Sequence, residues 1–143
     1  MAQRTIRTII EQQNPVTASA KLTISEAARL MKQHQVGAMM VVEDGNLVGI
    51  FTERDGLFRV LAEGRDGQTT LDEVMTRNPM TIHPDRAFAE ALQMMYGGSF
   101  RHVPVVEDGR PIGMISARDA LGPELEAFVY ELLRQGQVDD VLA

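Results

Sequence analysis

Two stretches decide how this chain folds: VVEDGNLVGIFTERD, Val41–Asp55, and VVEDGRPIGMISARD, Val105–Asp119. Each holds an Asp-Gly between two apolar runs, which predicts a two-residue hairpin turn. Each closes on a glycine, two apolar residues, a hydroxyl, and an aspartate three residues further on. These are Gly49, Thr52 and Asp55 in the first stretch, and Gly113, Ser116 and Asp119 in the second. Sliding the chain by 64 positions extends the match, without a gap, from Asn14–Asp55 onto Asn78–Asp119. NPVT falls on NPMT, Glu26-Ala27 on Glu90-Ala91, and Met31 on Met95, and about a third of the positions are identical. A repeat sets the architecture before any local reading does. Two copies imply a pseudo-twofold pair rather than a solenoid.

Each copy reads locally as strand, helix, strand, strand, helix. Pro15-Val16-Thr17-Ala18 is extended, because the residue before a proline is pushed out of the helical region. Thr23 and Glu26 form a capping box, and the helix it opens runs to about Gln35 with Ile24, Ala27 and Met31 on one face. AMMVVE and LVGIFT are the hairpin strands, followed by helical spacing through Leu57, Phe58 and Leu61. In the second copy the helix is Ala87–Tyr96, stopped by Gly97-Gly98, and the hairpin is HVPVVE with PIGMIS. The polar linker Gly64–Thr70 predicts a division into a first unit, residues 1–66, and a second, residues 67–143. Leu71–Met75 reads as a short turn of helix. Gly122-Pro123 breaks the last helix, and Pro123 suits the first turn of a new one. The stripe Leu125, Phe128, Val129, Leu132 and Leu133 fits internal packing or a partner chain.

Bulk properties narrow the function classes. With 143 residues the chain can bury a core without staples, and 44% hydrophobic with 24% charged residues is ordinary for a globular domain. There is no cysteine, so neither a disulfide frame nor a thiolate metal site can form. A net charge of −6 opposes a nucleic-acid partner. No apolar run has signal-peptide or membrane-spanning character, so a cytoplasmic protein is expected. His34, His83 and His102 show no metal-ligand spacing. No nucleophile stands beside a base and no phosphate loop is present, so an enzyme is not expected.

The repeated hydroxyl and carboxylate admit two readings. A strand end meeting a helix start offers free amides to a phosphate, and an aspartate one turn on can accept both hydroxyls of a ribose. The same Ser/Thr-x-x-Asp spacing is also an ordinary N-terminal cap. Spacing leaves both open.

The unit order, the NPxT opening and the doubled Gly-h-h-[Thr/Ser]-x-x-Asp close, where h is an apolar residue, resemble a CBS domain pair (cystathionine-β-synthase-type domains, or Bateman module). The likeness spans about Ile6 to Val129. It implies an α+β fold with α/β-type layers: tandem β-α-β-β-α units packed as a pseudo-twofold pair. It implies two clefts for adenosine-containing ligands, namely AMP, ADP, ATP, NAD or S-adenosylmethionine, with no metal required. Cleft one would take Thr52, Arg54 and Asp55 from one unit. Thr76, Thr81, Ile82, Phe100, Arg101 and His102 would come from the other. Cleft two would join Ser116, Arg118 and Asp119 to Thr17, Ala18, Val36, Gly37 and Ala38. Arg54 and Arg118 would favour ligands with more than one phosphate. Thr76 has Gln12 as its counterpart, so the second cleft is expected to hold its ligand differently or less tightly. The resemblance further implies a non-catalytic regulatory module that passes occupancy to an unidentified client protein. A homodimer of pairs would form through Leu57, Phe58, Val60 and Leu61 or through the Leu125–Leu133 stripe. The alternative is a ligand-free dimerisation or protein-interaction module.

Overall fold

The structure, a computed structural model, describes residues 4–136. Its elements, in chain order, begin with helix α1 (Ile6–Ile10), strand β1 (Thr17–Ser19) and helix α2 (Ile24–His34). The first hairpin follows as β2 (Ala38–Glu43) and β3 (Asn46–Thr52). It runs into one turn of helix, α3 (Glu53–Asp55), that widens into a π-helix at Gly56–Leu61. Short α4 (Leu71–Val74) and β4 (Thr76–Arg77) lead to α5 (Phe88–Gly98) and the second hairpin, β5 (His102–Glu107) and β6 (Arg110–Ser116). A 3-10 turn, Ala117–Asp119, precedes the last helix, α6 (Gly122–Arg134).

The repeat survives at the level of register. Ala38 pairs with Thr52 as His102 pairs with Ser116, and both hairpins carry a bulge at the same place, after Val41 and after Val105. Both turns put Asp and Gly at positive φ, near 52° and 79° for Asp44-Gly45 and 54° and 80° for Asp108-Gly109. That is the conformation an Asp-Gly hairpin demands. The two hairpins meet along β3 and β6.

The repeats differ at the opening strand. β1 pairs in parallel with β2, and the Met40 amide donates to the Val16 carbonyl at 3.2 Å. The equivalent of Met40 is Pro104, which has no amide to give. There the strand shrinks to a single bridge between Ile82 and Val105. The sheets are accordingly four-stranded, in the order β1-β2-β3-β4, and two-stranded, β5-β6.

The packing exchanges the segments that precede each unit. Leu71, Val74 and Met75 join Ala27, Met31, Met39 and Phe51 in the first core. Ile6 and Ile10 from the start of the chain join Phe88, Val103 and Ile115 in the second. A division by sequence at 66/67 therefore separates the repeats, whereas the packing divides the chain differently. The motif glycines permit this exchange. A Cβ on Gly49 would lie 2.5 Å from Met75 Sδ, and one on Gly113 would lie 2.6 Å from Ile10 Cγ2. Each glycine lets the exchanged segment cross its hairpin closely, a structural role.

Two local expectations are corrected. Gly97 and Gly98 do not stop α5 but lie in its last turn, and Ser99 takes the left-handed position at φ 57°. Phe100 requires Gly98 there, since a Cβ on it would stand 1.9 Å from the Phe100 ring. Of the four residues expected at a dimer interface, Val60 is instead buried in the first core, while Leu57, Phe58 and Leu61 are exposed. The α6 stripe also divides. Phe128 packs on the second core and meets Tyr96 edge-on at 6.0 Å between ring centres, and Leu132 is buried. Leu125 and Leu133 stay exposed.

Candidate functional site

Each hairpin ends its second strand against the other unit, so the two repeated motifs open into two hollows. The larger, about 1100 Å3, is lined by Thr52, Arg54, Asp55, Thr76, Phe100, Arg101 and His102 from the expected cleft one. The smaller, about 500 Å3, is lined by Val36, Gly37, Ala38, Ser116, Arg118 and Asp119 from the expected cleft two. Both are large enough for a nucleotide-sized ligand.

Thr17, Ala18, Thr81 and Ile82 do not line either hollow. Ala18 and Ile82 pair against the hairpins and are buried in the two cores, and Thr17 and Thr81 are exposed. The lining instead comes from the residues just before them: Asn14, Pro15 and Val16 in the smaller hollow, and Asn78, Pro79 and Met80 in the larger. The NPxT pattern marks both stretches in the sequence. Glu53 was also missed. It lines both hollows, and its carboxylate rests on Gly37, where a Cβ would meet Glu53 Oε1 at 2.1 Å.

The two carboxylates differ. Asp55 is 7% exposed and fully engaged. Its Oδ2 accepts from the Thr52 amide at 3.0 Å and the Thr52 hydroxyl at 3.2 Å, and its own amide donates to that hydroxyl at 3.2 Å. Its Oδ1 accepts from the Thr76 hydroxyl at 3.3 Å and faces Arg59 Nε at 3.4 Å. Asp55 is thus a helix cap braced on both oxygens. Asp119 is half-buried and uses one oxygen, Oδ2, which accepts from the Ser116 amide at 2.8 Å. Among the described residues no donor reaches its Oδ1. Gln12, the counterpart of Thr76, is exposed and lies outside the hollow. Its neighbour Gln13 covers the β6 edge instead. The Gln13 amide group donates to the Met114 carbonyl at 2.9 Å and accepts from the Met114 amide at 3.0 Å.

His102 stands on the wall that both hollows share, with Gly37, Glu53 and Arg101. Burial pushes its pKa below the usual histidine range. Glu53 opposes that shift, Arg118 adds to it, Asp119 opposes and Arg101 adds. Burial therefore favours the neutral imidazole. Arg54 lies over the Phe58 ring at 5.6 Å, and Arg118 is exposed at the rim of the smaller hollow.

A third hollow, about 620 Å3, lies between α2 and the π-helix and is mainly apolar. Elsewhere, His83, Asp85 and Glu107 converge closely enough to ligate an ion. Arg7 already fills that place, at 3.0 Å from Asp85 and 2.8 Å from Glu107, and it holds the Asp85 carboxyl below its usual range.

A family profile described as CBS domain matches residues 6–61 and 71–123. The chain is 43% identical over 103 residues to the CBS domain-containing protein YhcV of Bacillus subtilis, covering 72% of this chain and 74% of that one. It is 36% identical over 115 residues to the mitochondrial CBS domain-containing protein CBSX3 of Arabidopsis thaliana, covering 76% of this chain and 54% of that longer one. The CBS domain pair of protein MJ0100, solved with 5′-methylthioadenosine and S-adenosyl-L-methionine, superposes with a TM-score of 0.75 at 31% identity. That alignment covers 82% of this chain and 93% of that one.

Proposed function

The chain belongs to the CBS-domain family as a tandem pair, and on that premise we propose that it is a regulatory module that binds an adenosine-containing ligand through Asp119. The observation that carries this reading is Asp119 on the wall of a hollow of about 500 Å3, with only its Oδ2 engaged by a donor among the described residues. A half-buried carboxylate oxygen there can accept from a ribose hydroxyl. The ligands of the MJ0100 pair, 5′-methylthioadenosine and S-adenosyl-L-methionine, are both ribosides.

In this reading the base lies among Val16, Val36 and Ala38, and the ribose on Asp119. A phosphate or other anionic group meets Ser116, Arg118 and the shared Arg101 and His102. AMP, ADP, ATP, NAD and S-adenosylmethionine are the candidates. The Thr52–Asp55 hollow holds a second molecule only if that ligand displaces donors already on Asp55, so the two sites differ in affinity. Occupancy acts by favouring one arrangement of the pair over another, read by a client protein or by a second copy of the chain in a homodimer, in the cytoplasm.

One observation favours the ligand-free interaction module for part of the molecule: Asp55 behaves as a cap with no oxygen to spare. Mass spectrometry of small molecules released by denaturing purified protein separates the readings. A retained adenosine compound, lost in Asp119→Asn and kept in Asp55→Asn, supports the regulatory site. A compound retained equally by both variants counts against the assignment to Asp119.

A further inference from the structure

We propose that Arg4, near the start of the chain, is a positioning residue that holds the Asp119 turn in its ligand-accepting geometry and ties that turn to helix α6. The proposal rests on the assignment of the ribose to Asp119. Arg4 reaches across 115 positions to donate from Nη2 to the Asp119 carbonyl at 2.7 Å. The same guanidinium grips Glu124 with two bonds, Nε to Oε2 at 2.9 Å and Nη2 to Oε1 at 2.6 Å. Glu124 Oε1 also accepts from the Leu121 amide at 2.8 Å. One side chain thereby closes the interval from Asp119 to Glu124, which contains the break at Ala120 and Leu121 where the chain leaves the motif and starts α6. A planar guanidinium can serve a carboxylate and a carbonyl together, which an ammonium cannot do with fixed geometry.

Arg4 is itself held. Its carbonyl accepts from the Phe88 amide at 2.9 Å, and its guanidinium lies over the Phe88 ring at 5.4 Å. Both partners are partly buried, with side-chain exposures of 30% for Arg4 and 23% for Glu124. The first unit has no such clamp: Val60 stands 64 positions before Glu124, and Asp55 is braced by Arg59 and Thr76 instead. The clamp therefore belongs to the one carboxylate that keeps an open oxygen. It also offers a physical path for occupancy to reach α6, whose outer face exposes Leu125, Tyr130 and Leu133.

The test compares wild type with Arg4→Ala, Arg4→Lys and Glu124→Gln by AMP titration and by amide hydrogen exchange without ligand. AMP binding that depends on Asp119 is expected to weaken roughly 5- to 20-fold in Arg4→Ala and in Arg4→Lys. Binding that does not depend on Asp119 stays unchanged, and exchange at the Leu121 amide rises in the ligand-free variants. A melting-temperature loss with unchanged AMP affinity and unchanged exchange at Leu121 would overturn the clamp and leave Arg4 as a structural tie. If wild type binds no AMP, the nucleotide reading is what fails for that ligand. The exchange arm then decides the clamp alone, and equal protection of Leu121 in wild type and Arg4→Ala rejects it.

Discussion

Asparagine at the two motif aspartates should give opposite phenotypes. Asp119→Asn keeps an amide oxygen that can accept from the Ser116 amide, so the turn retains its cap. It removes the charge and offers an NH2 or a weaker acceptor where Oδ1 now stands open. A hydrogen bond to a charged group is worth about 1.5–3 kcal/mol, so affinity for an adenosine ligand should fall about 10- to 150-fold with little change in melting temperature. Asp55→Asn acts on an oxygen pair already served by Thr52, Thr76 and Arg59. Its new NH2 either faces Arg59 Nε or abandons the Thr52 amide, at a buried site. The cost is about 1–3 kcal/mol of folding stability, a fall in Tm of roughly 3–12 °C. The Asp119-dependent affinity should hold. Calorimetric titration and scanning fluorimetry on the same preparations read both quantities. If Asp55→Asn lost the affinity while Asp119→Asn lost the stability, counting partners on each oxygen would have misassigned them.

Other outcomes follow from the same geometry. His102 has a folded pKa below its unfolded value, so its contribution to stability is present above about pH 6.5 and is lost as pH falls through the folded value. An anionic ligand reverses the local field, so AMP affinity should rise from pH 7.5 to 6 with proton uptake. His102→Gln should remove that part of the slope which phosphate ionisation does not explain, and an unchanged slope would exclude His102. Arg4 holds the Glu124 carboxyl below its usual range, so the pair stabilises above the unfolded carboxylate value of about 4.3 and is lost on acidification through the lowered folded value. In Arg4→Ala the acid limb of a stability profile should be shallower; an identical limb would show the pair to be inert. Gly113→Ala must displace Ile10 from the second core at a cost of about 1–3 kcal/mol. A denaturant midpoint equal to wild type would mean that the exchanged segment yields freely. Gly98→Ala must displace the Phe100 ring, which lines the larger hollow and packs on the second core, so both ligand binding there and melting temperature should change. Titration in an Asp119→Asn background and scanning fluorimetry that match the parent would mean that the ring yields freely.

Much of the fold could be read from the repeat. The paired hairpins, their Asp-Gly turns and the Thr23 helix cap depend on local chemistry. The capping box expected with Glu26 is only half made, because the Glu26 carboxylate accepts from the Thr23 hydroxyl rather than its amide. The exchange of α1 and α4 between units was not legible, because Ile6 and Leu71 are apolar residues in short helices that would suit either core. What marked the exchange was the motif glycine, and its spacing to the hydroxyl suggested ligand chemistry rather than a close crossing. Thr52 and Ser116 at the strand ends, and Asp55 and Asp119 in the turns that follow, line the hollows as their spacing suggests. Thr17, Ala18, Thr81 and Ile82 do not line them, since Thr17 and Thr81 are exposed and Ala18 and Ile82 are buried in the cores. The inequality of the two carboxylates was hidden for a different reason. It depends on Thr76 reaching Asp55 across the exchange and on Gln12 not reaching Asp119, a matter of placement rather than residue type.

The measurement that bears most directly on the central claim is calorimetric titration of nucleotide-stripped protein with AMP, ATP, NAD and S-adenosylmethionine, with Asp119→Asn alongside. Saturable heat with at least one of the four, weakened at least tenfold in Asp119→Asn, is expected from an open carboxylate oxygen in a ribose-sized hollow. No heat with any of them, from protein shown to be folded and free of bound nucleotide, would contradict the regulatory reading and leave both motifs as helix caps.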